Sequence, residues 1–218
     1  GTAAGMAASG LIPFCNSFAI FLTARCYDQI RIQIAYPSLH VVLAGSSAGL
    51  TQGQDGASHQ SLEDIALMRA LPNMTVLVPA DGAETVEMTR AAVEMPGPVY
   101  LRLGRYPIPD LDHANVPYLC GKAELLRQGG DVYLLACGHM VWVALQAAGL
   151  LANAGINASV LNMSTIKPID EQAINEVSRG RLVITIEEHS VIGGLGSAVA
   201  EVMASRTSRA RLVRLGTQ

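Results

Sequence analysis

Aromatic and charged side chains are both scarce: Phe, Tyr and Trp make up 5% of the 218 residues, and Asp, Glu, Lys and Arg together 15%. With a net charge of −3 and no basic block, nucleic acid is excluded as the main partner. The four cysteines, Cys15, Cys26, Cys120 and Cys137, lack metal-ligand spacing. Each lies in or beside an apolar segment, so they read as buried free thiols in a reducing compartment, with no metal site expected. No apolar run approaches the ~18 residues of a membrane span. The N-terminus, Gly1-Thr2-Ala3-Ala4-Gly5-Met6, has neither an initiator Met nor a signal-peptide n-region. It reads as the middle of a small-residue helix, with residues missing upstream. A soluble cytoplasmic protein is expected.

Half of the chain is hydrophobic, which excludes global disorder, and the length admits one or two domains. Ala, Val, Leu, Ile and Gly dominate, a composition suited to parallel sheets under tightly packed helices. After a short small-residue helix over 1–10, Leu11 to Cys15 reads as a strand interrupted by Pro13. Apolar positions from Ser17 to about Tyr36 recur at helical spacing. Val41–Ala44 reads as a strand, Leu62–Leu71 as a helix and Met74–Val78 as a strand stopped by Pro79. Asp81 with Glu84 resembles a capping box opening a helix to about Glu94, and Pro98–Leu103 is the next strand.

Residues 104–122 break this rhythm with Pro107, Pro109 and Pro117. The alternation then resumes with strand Val132–Cys137, helix Met140–Ala154, strand Ala158–Met163, helix Asp170–Ser178 and strand Leu182–Glu187. Behind Gly193-Gly194-Leu195-Gly196 come a helix to about Ala204 and strand Arg211–Leu215. The expected fold is α/β, as two successive domains with mainly parallel sheets. Residues 1–108 form the first and 123–218 the second, with 109–122 as linker and both outer ends incomplete.

The stretch richest in chemistry is Gly53-Gln54-Asp55-Gly56-Ala57-Ser58-His59-Gln60. It follows the apolar run ending Leu43-Ala44-Gly45-Ser46 and places a carboxylate and an imidazole four residues apart. Loops after buried strands are where open α/β sheets carry their chemistry, although a merely solvated polar loop has the same composition.

The whole chain resembles the C-terminal half of the transketolase family, which uses thiamine diphosphate. The matching pieces in the first half are Pro13-Phe14-Cys15-Asn16-Ser17-Phe18-Ala19-Ile20-Phe21, Tyr27-Asp28-Gln29-Ile30-Arg31, the loop 53–60, Leu62-Glu63-Asp64-Ile65-Ala66, Arg69-Ala70-Leu71-Pro72, Val78-Pro79-Ala80-Asp81 and Leu101-Arg102-Leu103-Gly104-Arg105. In the second half they are Thr165-Ile166-Lys167-Pro168-Ile169-Asp170, Glu187-Glu188-His189 and the glycine stretch at 193–196. The resemblance implies a pyrimidine-binding domain followed by the smaller C-terminal domain. It also implies that the diphosphate and its Mg²⁺ are held by an N-terminal domain or partner subunit, in a dimer or heterotetramer. The family glutamate that protonates the aminopyrimidine belongs to a motif upstream of these residues, and neither Glu63 nor Glu84 matches it.

By the same resemblance Phe21 stacks on the aminopyrimidine and Phe18 lines that pocket, whereas two such rings three apart on a helix are otherwise ordinary core. Asp55 corresponds to the aspartate that accepts from donor-sugar hydroxyls; without the family it is an Asp fixing its own turn before Gly56. His59 corresponds to the histidine near the reacting carbonyl, able to donate or shuttle a proton, or else is an exposed loop residue. Arg105 corresponds to the basic residue for a terminal phosphate, or else is a solvated or ion-paired arginine. Ser47 stands where sugar-phosphate enzymes of the family often carry histidine, and Gln54 where glutamate is common, so tail recognition is expected to differ. Glu187, Glu188, His189 and the following glycines are read as structural. The implied activity is transfer of a two-carbon ketol unit from a ketose to an aldose. The alternatives are a deoxyxylulose-phosphate synthase, a 2-oxo acid dehydrogenase β-type subunit, or a non-catalytic partner.

Overall fold

The computed structural model describes residues 1–113, 118–205 and 208–218. The Val-, Leu- and Ala-rich runs between Gly and Pro punctuation form the inner strands, and the polar-edged segments form their neighbours. Strands β1 (Phe14–Phe18), β2 (Val42–Ser46), β3 (Thr75–Leu77) and β4 (Val99–Arg102) make a parallel sheet in the order β1-β2-β4-β3. The central pair is buried on both faces, Val42, Leu43, Val99 and Tyr100 each being at most 1% exposed. Such two-sided burial is what makes these strands near-continuous apolar runs.

A second sheet follows from β5 (Glu124–Arg127), β6 (Val132–Ala136), β7 (Ala158–Asn162), β9 (Leu182–Ser190) and β10 (Arg211–Thr217), ordered β10-β9-β6-β7-β5. All its pairings are parallel except that of β5 with β7. The strand after β7 in sequence, β8 (Thr165–Lys167), leaves this sheet and pairs antiparallel with β3 at the edge of the first. The ammonium of Lys167 there donates to the carbonyls of Arg69 and Leu71. The sheets are flanked by α1 (Thr2–Ala8), α2 (Tyr27–Ile30), α3 (Asp64–Ala70), α4 (Gly82–Glu94), α5 (Met140–Asn153), α6 (Glu171–Val177) and α7 (Leu195–Ala204). The two-sheet α/β architecture expected from the alternation is present.

Local departures from the sequence reading have physical causes. The first strand runs Phe14–Phe18, not Leu11–Cys15, because pairing with β2 starts just past Pro13, whose carbonyl accepts from Val42 N at 3.0 Å. Ser17 and Phe18 therefore belong to a strand and not to the following helix. That helix is irregular, with π-helical turns Phe21–Arg25 and Arg31–Ala35 on either side of α2. The short antiparallel strands β5 and β8 carry no alternation long enough to announce them. Of the four thiols, Cys137 is buried, whereas Cys15 and Cys120 are half-buried and Cys26 is exposed. Pro117, read as linker, lies outside the described residues.

The helix starts obey capping chemistry. Asp81 Oδ1 accepts from Glu84 N at 2.8 Å, and the Glu84 carboxylate accepts from Ala80 N at 2.6 Å. His113 ties the segment after β4 to the start of α4 and to β5, its Nε2 lying 2.9 Å from Asp81 Oδ2 and its Nδ1 2.7 Å from Glu124 Oε2. Partial burial opposes the imidazolium, but hydrogen bonds to the Glu124 and Asp81 carboxylates outweigh it and raise the His113 pKa.

Under the loops at the carboxyl ends of β2 and β4 sits a sealed ion pair. Arg102 Nε donates to Asp64 Oδ2 at 2.8 Å, and the Tyr100 hydroxyl donates to the same oxygen at 2.6 Å. The Arg102 guanidinium also donates to the Glu188 carbonyl at 2.9 Å, so the pair joins α3, β4 and β9. Burial alone would raise the Asp64 carboxyl, yet the charge and hydrogen bond of Arg102 hold it below the ordinary carboxylate value.

Replacing Asp64→Asn would leave Arg102 charged, buried and uncompensated, at a cost of roughly 3–5 kcal/mol. Urea unfolding of the variant measures this directly, and a loss below ~1 kcal/mol would show that the pair is not a structural keystone. A raised folded pKa means that His113 contributes stability below its unfolded value of about 6.5, lost as pH rises through the folded value. The gap in thermal midpoint between the native chain and His113→Gln is therefore expected to narrow as pH is raised from about 6. A gap that stays constant with pH would exclude His113 as the cause.

Candidate active site

The candidate residues gather where strands β1, β2 and β4 of the first sheet end, the edge at which open parallel sheets expose their loops. Phe18 is the last residue of β1 and Phe21 opens the helix behind it, so a strand-to-helix turn brings the rings to 5.9 Å between centroids. His59 comes from the loop after β2. Its ring lies 4.9 Å from Phe21 and 5.3 Å from Phe18, with interplanar angles of 70° and 87°. These are edge-to-face contacts in which the electron-poor edge of one ring meets the face of another. The guanidinium of Arg25 covers the Phe21 ring at 4.2 Å, a cation–π contact absent from the sequence reading. All three rings are half-buried. Ser58 Oγ lies 3.0 Å from His59 Nδ1.

A second group forms around the 3₁₀ turn Leu50–Asp55. Arg105, three residues past β4, reaches Asp55 Oδ2 at 3.1 Å. The buried Gln52 joins both: its amide oxygen accepts from Arg105 Nη1 at 2.9 Å, and its nitrogen donates to Asp55. The Arg105 and Asp55 side chains are 45% and 40% exposed, so this pair holds little energy of its own and opens readily to a ligand. Together they offer an anion acceptor for hydroxyls next to a fork for a terminal anion. Ser47, directly after β2, is half-buried with φ 56° and stands outside both sets of contacts.

Glu187-Glu188-His189 near the end of β9 are three anchors. Glu187 accepts from Leu195 N and Gly196 N, each at 2.7 Å, and so caps α7. A Cβ at Gly194 would lie 1.9 Å from that carboxylate, which is why the turn needs glycine. Burial raises the Glu187 carboxyl despite these two bonds. His189 Nε2 accepts from Ala66 N at 3.3 Å and its Nδ1–H donates to Ser190 O at 2.7 Å. Burial lowers its pKa, consistent with this neutral tautomer. Glu188 accepts from Thr51 N at 2.5 Å and Thr51 Oγ1 at 3.2 Å, and its Oε2 lies 3.4 Å from His139 Nδ1. Burial lowers the His139 pKa, against the opposing effect of Glu188. Gln52, Arg25 and Glu188 are the site neighbours that sequence reasoning did not place here. The one signal for Glu188 was Gly49, whose φ of 90° and missing side chain let the loop pass over the carboxylate.

Fold and site thus define a two-sheet α/β protein with an aromatic cluster and an exposed carboxylate–guanidinium pair at the carboxyl ends of its first sheet. Residues 1–109 match the family described as "Transketolase, pyrimidine binding domain", and residues 121–218 match "Transketolase, C-terminal domain". A 6-deoxy-6-sulfo-D-fructose transketolase subunit of Clostridium sp. (strain MSTE9) is 47% identical over 204 residues, 93% of this chain and 63% of that one. An apulose-4-phosphate transketolase subunit of Phocaeicola vulgatus is 39% identical over 216 residues, 98% of this chain and 69% of that one. A solved split-gene transketolase, an inactive β4 tetramer, superposes with a TM-score of 0.92 at 44% identity, covering 100% of this chain and 71% of that chain. The chain belongs to the transketolase family and is a transketolase-type transferase subunit, spanning about two thirds of the length of these relatives. Thiamine diphosphate is the cofactor that membership implies. Among the described residues, no helix is long and apolar enough to cross a membrane.

Proposed function

We propose that the chain transfers a two-carbon ketol unit from a ketose to an aldose, together with a partner subunit or domain that holds the diphosphate and Mg²⁺, in a dimer or heterotetramer. The observation that carries this reading is the convergence of Phe18, Phe21 and His59 beside the Asp55–Arg105 pair on one sheet edge. The half-buried rings fit the aminopyrimidine half of the cofactor, which needs a flat apolar surface. When bound, thiamine diphosphate supplies the nucleophilic carbon and the electron sink for cleaving the bond beside the carbonyl.

The chain's own side chains then divide the remaining work. Phe21 and Phe18 orient the aminopyrimidine ring. His59 donates a hydrogen bond, or a proton, at the substrate carbonyl oxygen, which gains charge as its carbon is attacked. Asp55 accepts from a donor hydroxyl and penalises the wrong stereoisomer by leaving a carboxylate without its bond. Arg105 grips the tail anion through its planar fork, with the Ser47 hydroxyl on the loop after β2. The named relatives act on a sulfo-sugar and a sugar phosphate, both of which end in an anion. A ketose with a phosphate or comparable anionic tail is the substrate class this supports.

Assay of the chain with its diphosphate-binding partner, thiamine diphosphate and Mg²⁺ across a ketose panel tests the reading. Loss of a charge-assisted hydrogen bond is worth roughly 1.5–3 kcal/mol, or about 10- to 100-fold. Asp55→Ala is expected to lower kcat/KM by that factor. Arg105→Ala should raise KM for phosphorylated donors and leave uncharged ketoses nearly unaffected. Turnover of a 2-oxo acid in place of a ketose would favour the synthase or dehydrogenase alternative. No turnover with any partner would leave a non-catalytic one.

A further inference from the structure

We propose that Glu188, supplied by the second sheet, is a positioning residue that sets the register of the substrate-binding turn in the first. The inference rests on the functional reading above for its kinetic consequence, but its structural content stands separately. The turn Leu50–Asp55 is two short helical pieces joined at Gly53, whose backbone is not helical, so no continuous helical ladder defines it. Three hydrogen bonds from outside fix its start. The buried Glu188 carboxylate accepts from both Thr51 N and Thr51 Oγ1, at 2.5 and 3.2 Å. Gln60 Nε2 donates to Leu50 O at 3.0 Å from the far side of the loop.

Thr51 is followed directly by Gln52, the residue whose amide joins Asp55 to Arg105. A shift at Thr51 therefore displaces both substrate-facing groups together. The carboxylate itself is not free to follow the loop. Its main chain is held by Arg102, which donates to the Glu188 carbonyl at 2.9 Å and is in turn locked to Asp64. His139 Nδ1 lies 3.4 Å from Oε2, the oxygen that Thr51 Oγ1 also meets. The loop is built to accept the clamp: Gly49 carries no Cβ, and one placed there would sit 2.0 Å from Glu188 Oε2. A carboxylate this buried costs energy to desolvate, and the two bonds to Thr51 turn that cost into loop geometry.

The test combines amide hydrogen exchange of the full chain with kinetics of the assembled enzyme, comparing Glu188→Ala with Glu188→Gln. Glutamine keeps an oxygen for Thr51 N and an amide that Thr51 Oγ1 can meet. Exchange over residues 49–55 should accelerate roughly tenfold or more in Glu188→Ala and stay near the native rate in Glu188→Gln, while β2 keeps its protection. In the assembled enzyme, donor KM should rise about tenfold in Glu188→Ala with kcat within about twofold, and Glu188→Gln should recover most of it. Unchanged exchange over 49–55 in Glu188→Ala overturns the proposal, as does a fall in kcat at constant KM. If the native enzyme proves not to transfer ketol units, the exchange comparison still decides whether Glu188 holds the loop. Failure of the functional reading and failure of this one are therefore distinguishable.

Discussion

Asp64 has no solvent exposure, and its carboxylate organises the protein because everything around it must supply a partner. Tyr100 and Arg102, two residues apart on β4, point the same way off the sheet and meet it from one side. Placing an ionised Asp and Arg together away from water is costly unless every donor is satisfied. Arg102 offsets part of that cost by donating also to the Glu188 carbonyl and, at 3.4 Å, to Ser61 O. The ion pair thereby forces three elements from distant parts of the sequence into one arrangement. It fixes the first turn of α3, the end of β4 and the end of β9 with the same guanidinium.

That arrangement explains why the two sheets are not simply two beads on a string. β8 leaves the second half of the chain to complete the first sheet, and β9 delivers Glu187, Glu188 and His189 to three different backbone segments. Each of these polar side chains satisfies amides that would otherwise be buried without partners at a helix start or loop turn. The second sheet thus supports the carboxyl ends of the first from beneath, while Phe18, Phe21, Asp55, His59 and Arg105 all come from the first half of the chain.

Much of this was legible in the sequence, and its limits have a physical origin. Long apolar runs such as Val41–Ala44 and Val132–Cys137 announce buried strands because two-sided burial leaves no polar position. Asp81 with Glu84 announces a helix start because capping is local chemistry. The loop carrying Asp55 and His59 stood out by composition, but the roles expected of those two residues, as of Phe18, Phe21 and Arg105, needed the family resemblance. What could not be read was non-local. Phe18 sits on a strand because its pairing partner is Ser46, far along the chain. The strands β5 and β8 are short edges whose existence depends on equally distant neighbours. Glu188 belongs to the site only through Thr51, 137 residues away in sequence.

Two aspartate–arginine pairs in this chain differ in how freely the same chemistry can exchange partners, and burial alone sets the difference. Asp64–Arg102 is sealed, with side chains 0% and 5% exposed, and its oxygens are saturated by donors within the protein. No ligand can compete there, since separating the charges would strand them in a medium that solvates neither. Asp55–Arg105 is more than a third exposed on both sides, so water and salt already screen the attraction. For that pair, exchanging partners with a polyol hydroxyl and a tail anion costs little, because each group trades one charge-assisted bond for another. The open pair can therefore be held in place by Gln52 before a ligand arrives and still release its partners to it. A site of this kind needs a rigid foundation just below a yielding surface, and Arg102, at the end of the strand that leads into Arg105, supplies it through the sealed pair.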